Sequence, residues 1–584
     1  MYEPPTPPLS RTDFFTAIAV SFVSLLGYLP FLGKTPLLDW DELIYGEAAR
    51  EMFESGNFLQ VYVNYSPFWE KPPLYFWLQA FFFHVFGVNE GAARLPSALF
   101  FALTLGLVFL IGAQLKGRGF GFLWAGLMGT ALLPVFYSKY GIIDPVFNFF
   151  IIAALFALYR WDSVRREGKG SSWPWAAGAA LAIGLAVTTK GPLALGLVFI
   201  IFAGYKVWHR KPFPHIGGLL LFVLSSALLA SSWYLVETLV HGPWFIESFI
   251  RYQRRIASMD DGHPGPVYYH LLVFFVGCFP FSPFVIAGLQ TKVSEALTRF
   301  KHFGLVWATV VLLIFSLVIQ TKLPHYSSLL YVPGSFFAAL RLESLIAKRK
   351  APHWAELAAI ALLGLLIAIP PLIFSYAGQH IAFVFQLFPA LKDDPLAIAY
   401  INLPIPWPLW TYLTGGCFLL AAVLGTVLLA LGRVRWGLLA TGGLVLVGVN
   451  ALWAAQVYRF SQYAQSIPIA MSREARNTPR AMAFYGPKTY VPPFYGQRQV
   501  HNPANEKELR RLLAQLGTEE LVMIVRRVDL HWVEDVLQVR VLREEGPFLL
   551  VETSAGTPAP TSPRPAPAAL SSGLAPQPLV PPAS

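Results

Sequence analysis

The chain has 584 residues, of which 55% are hydrophobic and only 13% charged, and its mean hydropathy is +0.52. That balance excludes a protein that is soluble or disordered throughout and predicts a polytopic membrane protein. A net charge of +11 would suggest nucleic acid in a soluble protein, but here the basic residues fall in connections between apolar runs, so no nucleic-acid partner is expected.

In chain order, about thirteen apolar runs approach the roughly 20 residues that a spanning helix needs. They cover residues 14–32, 92–114, 120–137, 142–159, 175–189, 192–207, 216–236, 267–289, 303–320, 326–340, 353–374, 408–431 and 436–458. Several are short, and neighbours could merge. The first follows a polar, Pro-rich start without a small-residue cleavage pattern, so it is expected to be retained. Alternate connections carry the basic residues, among them Arg11, Lys116, Arg118, Arg165, Arg166, Arg210, Lys292, Arg299, Lys348 and Arg433. Short basic loops stay in the cytoplasm, which puts residues 1–11 inside and, after an odd number of crossings, the C-terminal part outside. In a Gram-negative cell the outside is the periplasm. Both cysteines, Cys278 and Cys417, lie in apolar runs, which argues against a disulfide framework or a Cys-ligated metal site.

Within the expected transmembrane domain, residues 12–459, the outer loop 34–91 is far longer than ordinary helix connections, and loops of that length are usually functional. Residues 42–55 have helical spacing and Gly56 stops them; a second helix is expected to start at Pro72 or Pro73 and end before Gly87. Its aromatic residues Tyr75, Phe76, Trp77, Phe81 and Phe82 suit the membrane interface, so both helices are expected along the outer surface. Residues 460–553 turn soluble in composition, with helix-like 505–516 and strand-like 521–528 and 539–542, and predict a small outer α/β domain. Residues 554–584, rich in Pro, Ala and Ser, are expected to be disordered.

The strongest chemical cluster is Asp39-Trp40-Asp41-Glu42, followed by Glu70-Lys71-Pro72-Pro73-Leu74. Asp39 and Glu42 also have the spacing of a capping box, and Pro after Lys71 is an ordinary helix start, so a purely structural reading competes on even terms. Lys139, Asp144 and Lys190 add charge at the same outer face. Charges within a membrane segment cost roughly 2.5 to 3.5 kcal/mol and are usually paired or functional, although snorkelling to the interface is the alternative for the two lysines. Thr321-Lys322-Leu323-Pro324-His325-Tyr326 is a similar short outer connection, whose His325 alone would more often be structural.

Asp41-Glu42, the Glu70 to Leu78 run, Arg94-Leu95-Pro96, Lys190-Gly191-Pro192 and Lys322-Leu323-Pro324-His325-Tyr326 together resemble the GT-C membrane glycosyltransferases of the ArnT/PMT group. That group holds the bacterial lipid A aminoarabinose transferase and the dolichyl-phosphate-mannose protein mannosyltransferases. The resemblance covers about residues 12–460 and implies transfer of a sugar from a polyprenyl-phosphate donor to a lipid or protein acceptor at the outer membrane face, usually with inversion. It implies an all-α polytopic GT-C fold with amphipathic loop helices, to which the small α/β domain is added. Carried over, Asp41 resembles the first-loop catalytic aspartate and Asp144 the second acidic residue. Glu70 and Lys71 match the Glu-Lys pair, Lys190 the buried lysine and Tyr326 the tyrosine after Lys-Leu-Pro. Arg255 is the best match to a phosphate-binding arginine because His263 follows at familiar spacing, but Arg254 or Arg251 could hold the role. Glu42, Lys322 and His263 are candidates for acceptor or other contacts.

These residue types suit the reaction. A phosphate is already a good leaving group, so Lys71, Lys190 and Arg255 would replace the general acid that glycosidases use, leaving Asp41 to orient and deprotonate an acceptor hydroxyl. No cofactor is required. A divalent metal is possible, because Asp39-Trp40-Asp41 has an Asp-x-Asp pattern and Glu70 could join it, but nearby cations can already neutralise a monophosphate. Competing readings are a transporter or flippase of lipid-linked sugars and a scaffold with a degenerate site. Charges gathered at one face, rather than at the midplane of repeated halves, favour the enzyme.

Overall fold

The computed structural model describes residues 9–168, 170–210, 216–257, 264–517 and 519–553. The expected disordered tail 554–584, and His263 with Asp260 and Asp261, lie outside the described residues.

The first part of the chain forms α1 (Arg11–Tyr28), α2 (Asp41–Ser55), a short hairpin β1 (Tyr62–Val63) with β2 (Ser66–Pro67), and α3 (Leu74–Phe86). There follow α4 (Glu90–Lys116), α5 (Arg118–Gly129), α6 (Leu132–Ser138), α7 (Asp144–Glu167), α8 (Trp173–Lys190), α9 (Leu193–Trp208), α10 (Ile216–His241) and α11 (Trp244–Ala257). The second part holds α12 (Tyr269–Gly277), α13 (Val285–Gln290), α14 (Glu295–Leu313), α15 (Tyr331–Lys348), α16 (Trp354–Gln379), α17 (Ile381–Leu387), α18 (Pro395–Ile401), α19 (Leu413–Ala430), α20 (Val434–Leu452) and α21 (Tyr458–Ala475). Among the described residues, eight helices are long and apolar enough to cross a membrane, or up to ten if each of two bent pairs counts as one span. The protein is therefore a multi-pass membrane protein. The bent pairs are α5 with α6, at 73°, and α12 with the 282–290 segment, at 113°; both occupy runs that a hydropathy pattern reads as single straight spans.

The loop helices form where the turn signals predict. Gly56 ends α2 in the left-handed region at φ 68°, and Gly87 caps α3. Their placement differs from expectation. Residues 42–52 of α2 are buried, and Tyr75 and Phe76 are fully enclosed with Tyr45, Ala48, Met52, Ile142 and Val146 in a core of their own. Phe81 and Phe86 remain exposed on α3. The loop is thus a packed layer rather than a pair of helices floating on the interface. Nor does the capping box form. Trp40 precedes α2 at φ 73° and ψ −118°, without a side-chain cap, a conformation that costs a bulky residue about 1–3 kcal/mol.

A π-helical turn, Trp453–Val457, joins α20 to α21, so one continuous helical segment, Val434–Ala475, leaves the membrane bundle and enters the C-terminal region. There β3 (Ala481–Tyr485), α22 (Val491–Gly496), β4 (Val500–His501), α23 (Glu506–Leu516), β5 (Leu521–Arg526), α24 (Leu530–Glu534), β6 (Val539–Glu545) and β7 (Phe548–Thr553) build a sheet of order β4-β3-β5-β7-β6. β3 pairs in parallel with β4 and β5, and the rest is antiparallel. Alternation of side chains divides its two faces. Ala483, Met523, Val525 and Val551 pack with Leu509 and Leu512 of α23, whereas Phe484, Val522, Ile524 and Leu550 pack with Ile467, Met471 and Ala475 of α21.

Candidate active site

Five segments meet at one end of the bundle: the start of α2, the Glu70-Lys71 turn before α3, the start of α7, the end of α8 and the turn before α15. Lys190 Nζ donates to Asp144 Oδ1 at 2.7 Å, and the pair is mostly buried, with side chains 15% and 7% exposed. On its other sides the ammonium faces the rings of Tyr326 at 5.2 Å and Phe147 at 5.5 Å. His325 Nε2 lies 4.0 Å from Asp144 Oδ2. Positive φ at Gly191, 99°, lets α8 stop directly after Lys190 and leaves that lysine no loop in which to escape.

Across from this group, Lys71 Nζ donates to the Tyr252 hydroxyl at 3.3 Å and sits 4.8 Å from the same ring. The Arg255 guanidinium stands 5.2 Å from Tyr252, so one tyrosine on α11 joins a lysine of the first loop to an arginine of the second. Burial pulls the Lys71 ammonium below the ordinary lysine range, against the opposing pull of Glu70 and Asp41; Lys190 and Asp144 act on it as well. Asp41, Glu70, Lys71, Asp144 and Lys190 therefore form one electrostatic neighbourhood. Among the described residues no hydrogen bond or ion pair occupies the carboxylates of Asp41 or Glu70, and both side chains are half-buried. Arg251, Arg254 and Arg255 all lie exposed on α11.

Three candidates bond elsewhere within the protein. Glu42 is fully buried and accepts from Arg94 Nε and Nη2, each at 2.7 Å, and from the backbone N–H groups of Leu38 and Gly141. Lys322 donates to the carbonyls of Phe315, Ser316 and Ile319, which a π-helical turn at the end of α14 leaves open. Asp39 is engaged by the C-terminal region. Its carboxylate accepts from the Thr489 hydroxyl at 2.6 Å and the Tyr490 N–H at 3.0 Å, and among the described residues no group of three or more metal-ligating side chains stands together. A dyad of Asp41 and Glu70 is what remains of the Asp-x-Asp reading.

Two contributors are not among the sequence candidates: an isolated histidine such as His325 carries no partner information, and nothing in the local sequence singles out Tyr252. Their signal is spatial: they meet Asp144 and Lys71 through segments far apart in the chain.

Residues 70–231 match the family model described as dolichyl-phosphate-mannose-protein mannosyltransferase. The chain is 28% identical over 334 residues to an undecaprenyl phosphate-alpha-4-amino-4-deoxy-L-arabinose arabinosyl transferase of Erwinia tasmaniensis, a match that covers 55% of this chain and 58% of that protein. It is 29% identical over 429 residues to a protein of the same name from Pectobacterium carotovorum, covering 70% of this chain and 74% of the relative. The crystal structure of ArnT from Cupriavidus metallidurans bound to undecaprenyl phosphate superposes with a TM-score of 0.70 at 17% identity, over 94% of this chain and 100% of that one. The chain is thus similar over part of its length to proteins of the ArnT/PMT group, and it shares the fold of the Cupriavidus crystal structure.

Proposed function

We propose that the protein is an inverting, integral membrane glycosyltransferase that moves a sugar from a polyprenyl-phosphate donor, undecaprenyl phosphate in a bacterium, to a lipid or protein acceptor at the periplasmic face of the inner membrane. The observation that carries this reading is that Asp41, Glu70 and the Lys190–Asp144 pair all act on the Lys71 ammonium, which Tyr252 links to Arg255. The relatives named for transfer from an undecaprenyl-phosphate sugar support the donor class, and the lipid in the Cupriavidus structure supports the carrier.

A polyprenyl tail gains roughly 0.8 kcal/mol for each buried CH₂, which confines the donor phosphate to the membrane surface. In the reaction the acceptor oxygen bonds to the anomeric carbon from the face opposite the phosphate, and the bond from that carbon to the phosphate oxygen breaks. The leaving phosphate carries away the electron pair, and Lys71 and Arg255 balance its growing charge. Asp41 orients the acceptor hydroxyl and takes its proton late. Asp144 holds Lys190 in place, and the Glu70 carboxylate favours the charged form of Lys71 against the opposing effect of its burial. Should a divalent ion join, Asp41 and Glu70 are the residues that would hold it, adding positive charge beside the phosphate.

The deciding experiment gives purified protein in detergent a radiolabelled polyprenyl-phosphate sugar and a glycolipid or envelope-protein fraction. Label is expected in the acceptor without any sealed compartment. Failure to convert, together with passage of intact donor across reconstituted vesicles, would make the protein a transporter.

A further inference from the structure

A buried hydroxyl beside the Lys190–Asp144 pair lies outside the network of charges at the candidate site. Tyr331 opens α15 and is 2% exposed, and its hydroxyl meets no hydrogen-bonding group among the described residues. Burial strips such a group of its hydration, and nearly all buried hydroxyls in folded proteins find a protein or water partner. The same tyrosine lines a cavity of about 20 Å³ between α4, α6, α7 and α15, whose other polar walls are Thr104, Tyr137, Asp144, Asn148 and Ser328. Asp144 and Asn148 stand four residues apart on α7 and so share a face of that helix. Asn148 Nδ2 donates to Ser328 Oγ at 2.7 Å, which ties α7 to the 3₁₀ turn Pro324–Leu330, the turn that also carries His325. The phenol lies within electrostatic range of Asp144, so one small cavity joins an unmet hydroxyl to the carboxylate that holds Lys190.

We infer that this cavity holds one ordered water, which accepts from the Tyr331 hydroxyl and donates to Asp144, and that Tyr331 is thereby a positioning residue for the Lys190–Asp144 pair. The link itself stands on geometry; its bearing on donor binding rests on the transferase reading. Size selects the occupant. A water needs at least about 10–15 Å³ of such space and two to four polar partners, so the cavity suits one water and nothing larger. The partners are at hand. Asp144 Oδ1 is taken by Lys190, whereas Oδ2 lies 4.0 Å from His325 Nε2, beyond hydrogen-bonding reach, and has room to accept. Ser328 Oγ accepts from Asn148 and keeps its own proton to donate, and Thr104 Oγ1 donates to the Phe100 carbonyl at 2.8 Å and keeps a lone pair. Tyr331 and Ser328 as donors, with Asp144 and Thr104 as acceptors, match the two acceptor and two donor positions of a water molecule. A carboxylate gripped at one oxygen by an ammonium and at the other by a fixed water cannot turn about its own axis, so Lys190 stays aimed. The plain alternative is that Tyr331 is buried for its ring alone, in which case phenylalanine would serve as well.

The test is a double-mutant cycle on the full chain in detergent, read first without ligand and then with undecaprenyl phosphate. Tyr331→Phe removes only the hydroxyl, and Asp144→Ala removes the acceptor at the far end of the link. Without ligand, Tyr331→Phe is expected to lower the unfolding midpoint of the wild-type background by about 1–2 °C and to leave that of Asp144→Ala unchanged. A neutral or raised midpoint in both backgrounds, the result of removing an unmet hydroxyl, would overturn the link, and so would an equal fall in both. With ligand, Tyr331→Phe should weaken undecaprenyl phosphate binding about threefold to tenfold in the wild-type background and not at all in Asp144→Ala. Equal weakening in both would make Tyr331 a packing residue and not a positioning one. Should Asp144→Ala fail to fold, the wild-type protein decides: a density map fine enough to show solvent should hold a water within about 3.2 Å of both the Tyr331 hydroxyl and Asp144 Oδ2. No water there, or a water attached to Asn148 and Ser328 alone, refutes the inference. Midpoints and map need no donor, so a protein that binds no undecaprenyl phosphate counts against the transferase reading while the water link stands or falls on its own measurements.

Discussion

Asp144 is committed to Lys190, whereas Asp41 lies a few residues from a fully engaged Asp39 and is itself uncommitted. Asp41→Asn keeps the size and removes the base, so transfer should fall by about 10²- to 10⁴-fold while donor binding is retained; unchanged turnover in a radiolabel assay would remove Asp41 from the chemistry. Lys71 sets the pH response. Its ammonium sits below the ordinary lysine range because of burial, so the cation is present at low pH and is lost, as pH rises, earlier than from a free lysine. Donor affinity, measured by titration with undecaprenyl phosphate, should therefore weaken on the alkaline side, and Lys71→Arg should move that loss to higher pH because arginine stays charged. Stability has the opposite sign. Between the folded and unfolded pKa values the unfolded chain binds the extra proton, so this residue makes the fold more stable as pH rises through that window.

At the scale of elements, the outer layer is built around Arg94 of α4. Its guanidinium grips Glu42 and also donates to the carbonyls of Leu32, Thr35 and Pro36, which ties α4 to the segment leading into α2. Glu42→Ala leaves a buried, uncompensated arginine and should cost about 3–5 kcal/mol, measured as a drop in the denaturation midpoint of detergent-solubilised protein. An unaltered midpoint would mean that the pair contributes little. Much of this layer was legible in the sequence. Gly56, Gly87 and the double proline bounded the two loop helices because each signal acts on its own backbone. The candidate residues Asp41 and Lys71 stood out in charge clusters of the first long loop, and Asp144 and Lys190 as charges beside apolar runs. What could not be read locally was which charge meets which: Glu42 and Lys322 carry the same residue types as site groups, and only tertiary contact shows them bonded to Arg94 and to backbone carbonyls. Strands β3 and β7 were missed because both faces of the sheet are covered, so Ala481–Tyr485 and Phe548–Thr553 are apolar without the alternation that marks a half-exposed strand.

For the whole molecule, the C-terminal sheet is docked on the first loop at several points. Asn64, at the tip of the β1–β2 hairpin, exchanges two hydrogen bonds with the Val500 backbone, Asp39 holds Thr489 and Tyr490, and the Tyr495 hydroxyl accepts from the Leu37 N–H. Removing the Thr489 hydroxyl with Thr489→Val should raise hydrogen exchange in residues 37–42 and 489–495 together. A rise confined to one segment would mean that the two are not coupled. Orientation is tested by single cysteines at exposed positions in a background without Cys278 and Cys417: a label that cannot cross the membrane should reach Lys488→Cys in intact spheroplasts but not Arg299→Cys.

The continuous Val434–Ala475 helical segment has a geometric consequence. Since each residue of an α-helix turns the chain by about 100°, adding or deleting one residue within Trp453–Val457 would swing everything beyond it around the axis of the last span. Thr489 and Val500 would then face away from Asp39 and Asn64, although every local fold survived. The phase of that segment thus shapes the candidate site as much as the charges gathered there, and a one-residue indel should abolish the proposed transfer where a point substitution at the same place would not.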